Sequence, residues 1–289
     1  MEATIPIREI SRLTGVNSVT LRAWERRYGL IKPSRTHKGH RLYCQDDIEL
    51  IKKIQAWLAR GLAIGKISEL LDSNQFSYEL EIENIWQTYF FELSTLMSDL
   101  NPGKMDAYFN QLFSVYPAEI IADQLIAPML ENLSEDVFGK KIKKSILINR
   151  LSEYLCMLTQ RQRQQISGKH LAIIQLTSSS NFLTNTLLHY GLTMNQFCSE
   201  LIGLSTATEM VFATKQLALD GIVVYNDYCS SLGDFLRELM QLVQRVSVPI
   251  IVGGELSTAI GIDFPAHVTI VRRAGQQELM STIHDIFPV

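Results

Sequence analysis

The sequence predicts a multidomain protein of mixed α and α/β class, with a winged helix-turn-helix head, a helical bundle and a parallel α/β unit. Short helical patterns around a hairpin fill residues 1–75, and helical periodicity fills residues 76–166. Over residues 167–289, short apolar runs alternate with helical stretches. A chain of 289 residues exceeds the usual size of one domain, which agrees with several packed units.

Two short helices are predicted at the start of the head. Apolar residues recur at helical spacing from Ile7 to Leu13 and again from Val19 to Trp24. Between them, Gly15 permits a tight turn, and Asn17 is a suitable N-cap for the second helix. This arrangement predicts a helix-turn-helix.

A hairpin and two further helices are expected next. Pro33 and Gly39 rule out helix in GLIKPSRTHKGHRLYC, whereas the residues on either side of HKG can lie extended. Asp46 suits the start of the following helix and Gly61 its end, and a short helix is expected from about Ile64 to Leu71. Helix, turn, helix, hairpin, helix and helix together are a winged-helix plan.

The pattern of the chain changes at Gly168. Before it, from about Tyr78 to Gln165, four helices are expected, with breaks near LNPGK, Pro117 and FGKK. After it, LAIIQL, GIVVY, VPIIVGG and VTIV predict buried strands, and Thr193–Phe197 is a candidate for one more. Apolar strands separated by helices predict a parallel sheet covered on both faces.

Charge is divided unevenly along the chain. Residues 1–75 contain 13 Lys and Arg against 8 Asp and Glu, and the remainder contains 14 against 22. A basic head on an acidic body indicates a polyanionic partner for the head alone.

The sequence also predicts where the protein resides. The cysteines are far apart and form no metal-type pair; they are Cys44, Cys156, Cys198 and Cys229. No apolar run approaches the ~18 residues of a membrane span, and MEATIPIREI has no signal pattern. We therefore expect a cytoplasmic protein in a reducing environment, without a disulfide framework or a membrane partner.

The second helix indicates which polyanion the head binds. Leu21 and Trp24 lie three residues apart and share one face, which is expected to anchor the helix. The other residues, which cannot all point inward, are Thr20, Arg22, Arg26 and Arg27. Arginine pairs with phosphate and reads guanine edges, so this helix and the basic hairpin predict DNA binding through the major groove. A solvated basic helix is the alternative.

The stretch GVNSVTLRAWERRYGLIKPSRTHKGHRLYCQDDIELI resembles the DNA-binding domain of the MerR family of transcription regulators, over roughly residues 5–74. The shared pattern is T-L-R, aromatic residues, P-x-R-x-x-x-G-x-R-x-Y and an acidic helix start. The resemblance implies DNA contacts by the helix residues Thr20, Arg22, Trp24, Arg26, Arg27 and Tyr28. It implies further contacts by the wing residues Arg35, Lys38, His40, Arg41 and Tyr43. Arg41 is expected on the DNA backbone or in the minor groove, and for Trp24 packing between helices is the alternative role.

The order of head, bundle and α/β unit is similar to the cobalamin-binding branch of that family, the CarH and LitR photoreceptor regulators. In that branch a bundle caps the corrinoid, and a flavodoxin-like domain supplies a histidine to the cobalt. The D-x-H-x-x-G motif is missing from Leu176–Thr186, and the bundle lacks the W…E-H motif. His189, further along the next helix, is expected to be structural. Gly253 and Gly254 stand where the branch has a glycine pair, which is also common loop geometry.

Without these two motifs, the sequence more closely resembles the MlrA-like regulators. Their C-terminal region keeps the outline of the cobalamin domain without its ligand residues. The head shares VTLRAWERRYGL followed by KP, RT and GHRL with that group. The resemblance implies regulation of the biofilm and curli type. We expect no cofactor and no metal.

No catalytic motif is apparent in the sequence. It contains no G-x-G-x-x-G after a strand, no Walker loop, no H-E-x-x-H and no G-x-S-x-G. TSSSN at Thr177–Asn181 has groups that suit a phosphate, and a polar capping loop is the alternative. The aromatic residues Tyr89–Phe91 are expected in the bundle core.

The sequence therefore predicts a non-enzymatic, sequence-specific regulator that binds double-stranded promoter DNA as a homodimer. One winged head covers few base pairs, so two heads on a palindrome are needed. The resemblance implies activation, through a distortion of the promoter that lets RNA polymerase engage. Two alternatives remain: a cobalamin- or tetrapyrrole-dependent, light-sensing regulator, and a corrinoid-related enzyme or carrier.

Overall fold

The computed structural model describes residues 4–73, 84–163, 166–177, 182–226, 231–272 and 275–288. The chain forms two compact units, Met1–Arg150 and Leu151–Val289. The first unit contains the predicted head and most of the predicted bundle, and the second contains the predicted α/β unit. The division of the sequence into three domains remains a proposal.

The head begins with the predicted helix-turn-helix and continues with the two predicted helices. These elements are α1 (Ile7–Thr14), α2 (Ser18–Tyr28), α3 (Gln45–Ala59) and α4 (Ile64–Ser73). Gly15 ends α1 with a φ of 72°, which is the left-handed region that glycine adopts without steric cost. The turn residues of the sequence therefore set the angle at which α2 leaves α1.

A small antiparallel sheet forms the wing, and two of its three strands follow α2 along the chain. Its strands are β1 (Ile5–Pro6), β2 (Ser34–Arg35) and β3 (Arg41–Tyr43), in the order β1-β3-β2. β2 and β3 are the predicted hairpin, closed by a hydrogen bond of 2.8 Å from Thr36 N to His40 O. The sequence pattern does not predict β1, because two residues directly before a helix have no strand periodicity.

The helices of the bundle break where the sequence predicts. They are α5 (Ile85–Asp99), α6 (Pro102–Val115), α7 (Ala118–Ile121), α8 (Ala127–Asn132) and α9 (Lys140–Arg163). A π-helical turn at Ala122–Ile126 joins α7 to α8, so these two form one irregular helix. The described ranges thus contain the four predicted helices. None of the helices in those ranges is both long and apolar enough to cross a membrane.

The aromatic residues of α5 differ from the expectation of a wholly buried cluster. Tyr89 and Phe90 are half-buried, whereas the Phe91 side chain is 70% exposed. The expectation of a core position is therefore wrong for Phe91. Consecutive residues of a helix point about 100° apart, so three neighbouring aromatic side chains cannot all face one core.

The second unit contains a five-stranded parallel sheet. Its strands are β4 (His170–Gln175), β5 (Cys198–Leu204), β6 (Gly221–Tyr225), β7 (Ile250–Gly253) and β8 (Val268–Ile270). The order in the sheet is β5-β4-β6-β7-β8, and every pair is parallel. This is the strand order of flavodoxin-like folds, which confirms the predicted fold class.

Helices cover both faces of this sheet. They are α10 (Phe182–Met194), α11 (Ala207–Gln216), α12 (Leu232–Arg245) and α13 (Gln276–Ile286). Alternate residues of the strands belong to opposite cores: Ile174 packs with Met210 and Phe235, and Ile173 packs with Leu188 and Ile283. Burial on both faces explains why the strands read as continuous apolar runs.

The position of the additional strand corrects the sequence-based prediction. Thr193 lies in α10 and Phe197 in the turn that follows, and the strand begins only at Cys198. β5 is an edge strand with an irregular register at Gly203, whose φ is 80°. Its partly exposed, irregular residues give no continuous apolar run, so the pattern misplaced it by a few residues.

A buried carboxyl group lies in α7, directly before the π-helical turn. The Glu119 side chain is only 4% exposed. Burial, together with the charge of Asp123, raises the pKa of Glu119 to about 7. The neutral form of this carboxyl group is therefore the one that suits the folded protein.

We expect the stability of the first unit to depend on pH through Glu119. Its pKa is about 7 in the folded state against 4.5 in the unfolded chain. Between these values the folded state binds the extra proton, so the free energy of unfolding falls as pH rises from about 4.5 to 7. In urea unfolding, the free energy of unfolding of Glu119→Gln should change by about 2–3 kcal/mol less over this pH range than that of the wild type. The exposed control Glu69→Gln should keep the wild-type profile, and an unchanged profile in Glu119→Gln would contradict the assignment.

Candidate nucleic-acid interface

The start of α2 is fixed by a side-chain cap. The Asn17 Oδ1 atom accepts hydrogen bonds from Val19 N at 2.9 Å and Thr20 N at 2.8 Å. These contacts satisfy two backbone donors that have no partner inside the helix. Gly29 ends α2 in a left-handed conformation with a φ of 62°. α2 is thus a short helix of 11 residues with both ends defined.

One side of α2 is cationic and exposed. Arg22, Arg26 and Arg27 are all exposed, and Tyr28 is half-buried. Arg26 Nε lies 3.4 Å from Arg22 O, and no carboxylate within the described ranges pairs with any of these three arginines. The predicted row of outward-facing arginines is therefore present, and its charge is available to a polyanion.

The opposite side of α2 is buried and provides the first corrections. Thr20, Leu21 and Trp24 each have 0% exposure. The Trp24 indole N–H donates a hydrogen bond of 2.8 Å to Val115 O at the end of α6. Buried side chains cannot contact DNA, so we remove Thr20 and Trp24 from the candidate contacts. Packing between helices, the alternative for Trp24, is what the structure contains.

Two further hydrogen bonds join helices in this part of the first unit. The Trp86 indole N–H in α5 donates to Leu58 O in α3 at 2.8 Å. Ser68 Oγ in α4 donates to Tyr28 O, at the last residue of α2, at 2.7 Å. The head is therefore held to α5 and α6 by two buried indole donors, and α2 is held at both its middle and its end.

A carboxylate that sequence analysis did not single out connects α2 to the wing. Glu25 accepts from Arg35 Nη2 at 2.7 Å and also forms an ion pair with Arg41 Nε. Arg35 additionally donates to Gly39 O at 3.3 Å, across the tip of the hairpin. Glu25 and Arg41 side chains are only 14% and 17% exposed, so this ion pair is largely shielded from water.

These contacts change the role of the wing residues. The Arg41 side chain is held by Glu25 and is largely buried, which gives it a structural role, and its expected contact with the DNA backbone or minor groove stays a prediction. Tyr43 has 0% exposure, and burial raises its pKa to about 12. We remove Tyr43 from the candidate contacts. Lys38 and His40 are exposed, and Arg35 keeps half of its side chain exposed.

Among the described residues of the second unit, His189 and the glycine pair do not suit cobalamin. His189 Nδ1 lies 2.9 Å from Ser199 Oγ, and burial lowers the His189 pKa to about 4, so this histidine is half-buried and structural, as expected. A Cβ atom on Gly254 would lie 2.4 Å from Asn226 O, and one on Gly253 would lie 3.0 Å from Leu279. The protein itself therefore fills the space beside both glycines. Ser178–Asn181, most of the candidate phosphate loop, lies outside the described residues.

Comparison with known proteins decides the family. Residues 5–74 match the family described as MerR HTH family regulatory protein. The HTH-type transcriptional regulator MlrA of Escherichia coli (strain K12) is 31% identical over 174 residues, which cover 60% of this chain and 69% of that protein. The chain belongs to the MerR family. The resemblance stated from the sequence is thereby confirmed.

Two further relatives define its place in the MerR family. MlrA of Salmonella typhimurium (strain SL1344) is 33% identical over 178 residues, which cover 60% of this chain and 69% of that protein. The HTH-type transcriptional repressor CarH of Myxococcus xanthus is 25% identical over 143 residues, which cover 46% of this chain and 48% of that protein. The similarity to MlrA thus extends well beyond the MerR-type head.

We expect Trp24→Phe to destabilise the first unit by about 1–3 kcal/mol, because the substitution keeps a ring but leaves the buried Val115 carbonyl group without its donor. Urea unfolding followed by circular dichroism measures this change. Trp57→Phe is the matched control, since Trp57 is half-buried and its indole donates no hydrogen bond within the described ranges. Equal destabilisation by the two substitutions would show that the hydrogen bond has no special role.

Glu25→Gln should loosen the wing without unfolding the head. The substitution removes the charge that holds Arg35 and Arg41, while the backbone ladder of the hairpin remains. Hydrogen exchange of the Thr36 and Leu42 amides should become at least about threefold faster, whereas amides in the centre of α3 should exchange as before. Unchanged exchange in the wing would contradict the role of Glu25.

Proposed function

We propose that this chain is a sequence-specific DNA-binding transcription regulator that reads the major groove with α2. The observation that supports this proposal most strongly is the exposed cationic row Arg22, Arg26 and Arg27 beside a basic wing. The major groove is about 12 Å wide and admits an α-helix, and arginine forms bidentate contacts with guanine. A basic helix held rigidly by its buried face is suited to that task.

We divide the candidate residues between base and backbone contacts according to their positions and exposure. Arg22 lies in the middle of α2 and is our candidate for base readout, with Arg26 and Arg27 near the end of the helix. Lys38 and His40 lie exposed at the tip of the wing and are our candidates for phosphate contacts. Arg35 is shared between Glu25 and solvent, so we assign it a secondary contact at the wing.

We further propose that the regulator works as a homodimer on a promoter palindrome. One head with a helix of 11 residues covers only a few base pairs, which gives too little discrimination for a genomic site. Activation through RNA polymerase, cytoplasmic location and a role in biofilm-type regulation are proposed on the resemblance to MlrA-like proteins. The CarH relative is named a repressor, so the direction of regulation requires its own measurement.

The proposal is tested by selecting duplexes from a randomised library with the purified full-length protein. A recovered consensus with two inverted half-sites, bound in a gel shift at nanomolar concentration, is the expected result. Affinity should fall steeply with salt, because phosphate contacts release counterions. Recovery of no consensus, together with binding that does not depend on sequence, would overturn the proposal of a sequence-specific regulator.

Arg22→Ala should weaken binding to the selected site by about 1–3 kcal/mol and reduce discrimination against substituted sites. Lys38→Ala, by contrast, should weaken binding to all sequences similarly and lower the salt slope by about one unit, because it removes one phosphate contact. Lys141→Ala is the control, since Lys141 is exposed in α9 and lies outside residues 1–75. Wild-type discrimination by Arg22→Ala would contradict the assignment of α2.

Cobalamin is expected not to control this protein. The histidine nearest to the expected motif contacts Ser199, and the glycine pair packs against the protein's own atoms. Adenosylcobalamin added in the dark should be lost on gel filtration, and neither the elution volume nor operator affinity should change. Stoichiometric retention of the corrinoid, with a light-dependent change in oligomeric state, would instead favour the photoreceptor alternative.

A further inference from the structure

An apolar side chain lies in the same exposed row of α2 as the arginines. The row consists of Val19, Arg22 and Arg26, which are spaced three and four residues apart and are all exposed. Val19 is 55% exposed, whereas Leu21 and Trp24, on the opposite side of α2, have 0% exposure. The row that we propose to face the major groove therefore begins with an apolar side chain and continues with cations.

The backbone and the side chain of Val19 are both held in place. Its N–H donates a hydrogen bond of 2.9 Å to Asn17 Oδ1, which fixes the first turn of α2. A valine in a helix has one strongly preferred χ1 rotamer, because its side chain branches at Cβ. The methyl groups of Val19 consequently occupy defined positions, and they lose little conformational entropy when they contact a ligand.

Helix stability does not account for an exposed valine at this position. Valine has a lower helix propensity than alanine, and an exposed side chain gains nothing from burial in the free protein. Single exposed apolar residues are common on protein surfaces. Val19 differs from these because it lies in the first turn of α2, three residues before Arg22. In helix-turn-helix proteins, the N-terminal residues of the recognition helix are those that contact base edges.

The groups exposed in the major groove determine what a valine can recognise there. A side chain of carbon atoms neither donates nor accepts a hydrogen bond. It would leave the amino groups of cytosine and adenine, and the acceptor atoms of guanine, without a partner. Thymine is the base that presents an apolar group in this groove, namely its C5-methyl group. Val19 therefore complements thymine better than the other three bases.

We propose that Val19 reads the C5-methyl group of a thymine located about one or two base pairs from the guanine contacted by Arg22. Three residues advance a helix by about 4.5 Å, against about 3.4 Å between successive base pairs, which sets this spacing. The assignment rests on the proposed function, because it requires that α2 lies in the major groove. It adds a base and a spacing that the arginines alone do not specify.

The selected operator tests this contact through the removal and addition of single methyl groups. Deoxyuridine differs from thymidine only in the missing C5-methyl group, so it is substituted for each constant thymine in turn. In gel shifts, the affinity of the full-length protein should fall about threefold to fivefold at the thymine that Val19 contacts, in either half-site. At the same position, 5-methylcytosine paired with guanine should be bound about threefold more tightly than cytosine paired with guanine.

Val19→Ala separates this contact from other effects of the modified bases. The variant should fold, because Val19 is exposed and alanine has the higher helix propensity. It should lose about threefold in affinity for the unmodified operator and should bind the thymine and deoxyuridine operators equally. The four affinities form a double-mutant cycle, which isolates the coupling between Val19 and the methyl group. Val137→Ala is the matched control, since Val137 is 53% exposed and lies outside residues 1–75. This control should keep the wild-type sensitivity to deoxyuridine.

The assignment of Val19 can fail while the proposed function stands. Equal wild-type affinity for the thymine and deoxyuridine operators would overturn it, as would a deoxyuridine effect that persists in Val19→Ala. It would also be overturned by a consensus without a constant thymine within about two base pairs of the guanine whose discrimination is lost in Arg22→Ala. In each of these cases the wild-type protein still binds its operator. Recovery of no consensus at all would overturn both the assignment and the proposed function.

Discussion

The hydrogen bond from the Trp24 indole to the Val115 carbonyl group is the constraint on which the first unit depends. It lies at the middle of the helix that carries the exposed arginines, and it reaches a carbonyl group 91 residues further along the chain. A buried N–H or C=O group without a partner costs about 1–3 kcal/mol, so the pair fixes the rotation of α2 about its own axis. The direction in which Arg22 points is thereby decided by a residue of α6.

Because of this hydrogen bond, the head is not structurally independent of the helices that follow it. Residues 1–75 read as an independent domain, because the helical and hairpin patterns end there. In the structure, the largest buried side chain of that segment finds its partner outside it, and Leu58 likewise accepts a bond from α5. The segment on its own would expose Trp24 and lose both bonds. Local patterns define elements, but they do not define which elements share a core.

The parts of the fold that depend on neighbours in sequence could be predicted from the sequence. Helix starts at Asn17 and the parallel strands of the second unit follow from capping and from apolar runs. β5 was misplaced because an edge strand with an irregular register has no such run. The aromatic composition of YFFE predicts a core position for Phe91, because composition alone does not indicate the direction of each side chain about the helix.

The sequence predicts the kind of ligand that the candidate site binds, but only some of the residues that contact it. A count of basic residues identifies the wing and α2, but Arg35 and Arg41 look identical in sequence to Arg22. They differ only because Glu25 is folded against them. Thr20, Trp24 and Tyr43 belong to the family pattern for a reason other than DNA contact, since their side chains are enclosed by the protein. Distinguishing a ligand contact from a packing contact requires three-dimensional neighbours.

The placement of Trp24 also limits how heads can be exchanged between regulators of this family. A MerR-type head with tyrosine at this position would place a smaller ring, with its donor at a different point, against the same α6. Val115 would then face a hydroxyl or a gap where an indole nitrogen had been. Recombination at the apparent boundary near residue 75 would therefore yield chimeras with a strained junction. A functional chimera would have to include the end of α6 together with the head. The segment that must be exchanged as one piece is therefore longer than the DNA-binding sequence pattern.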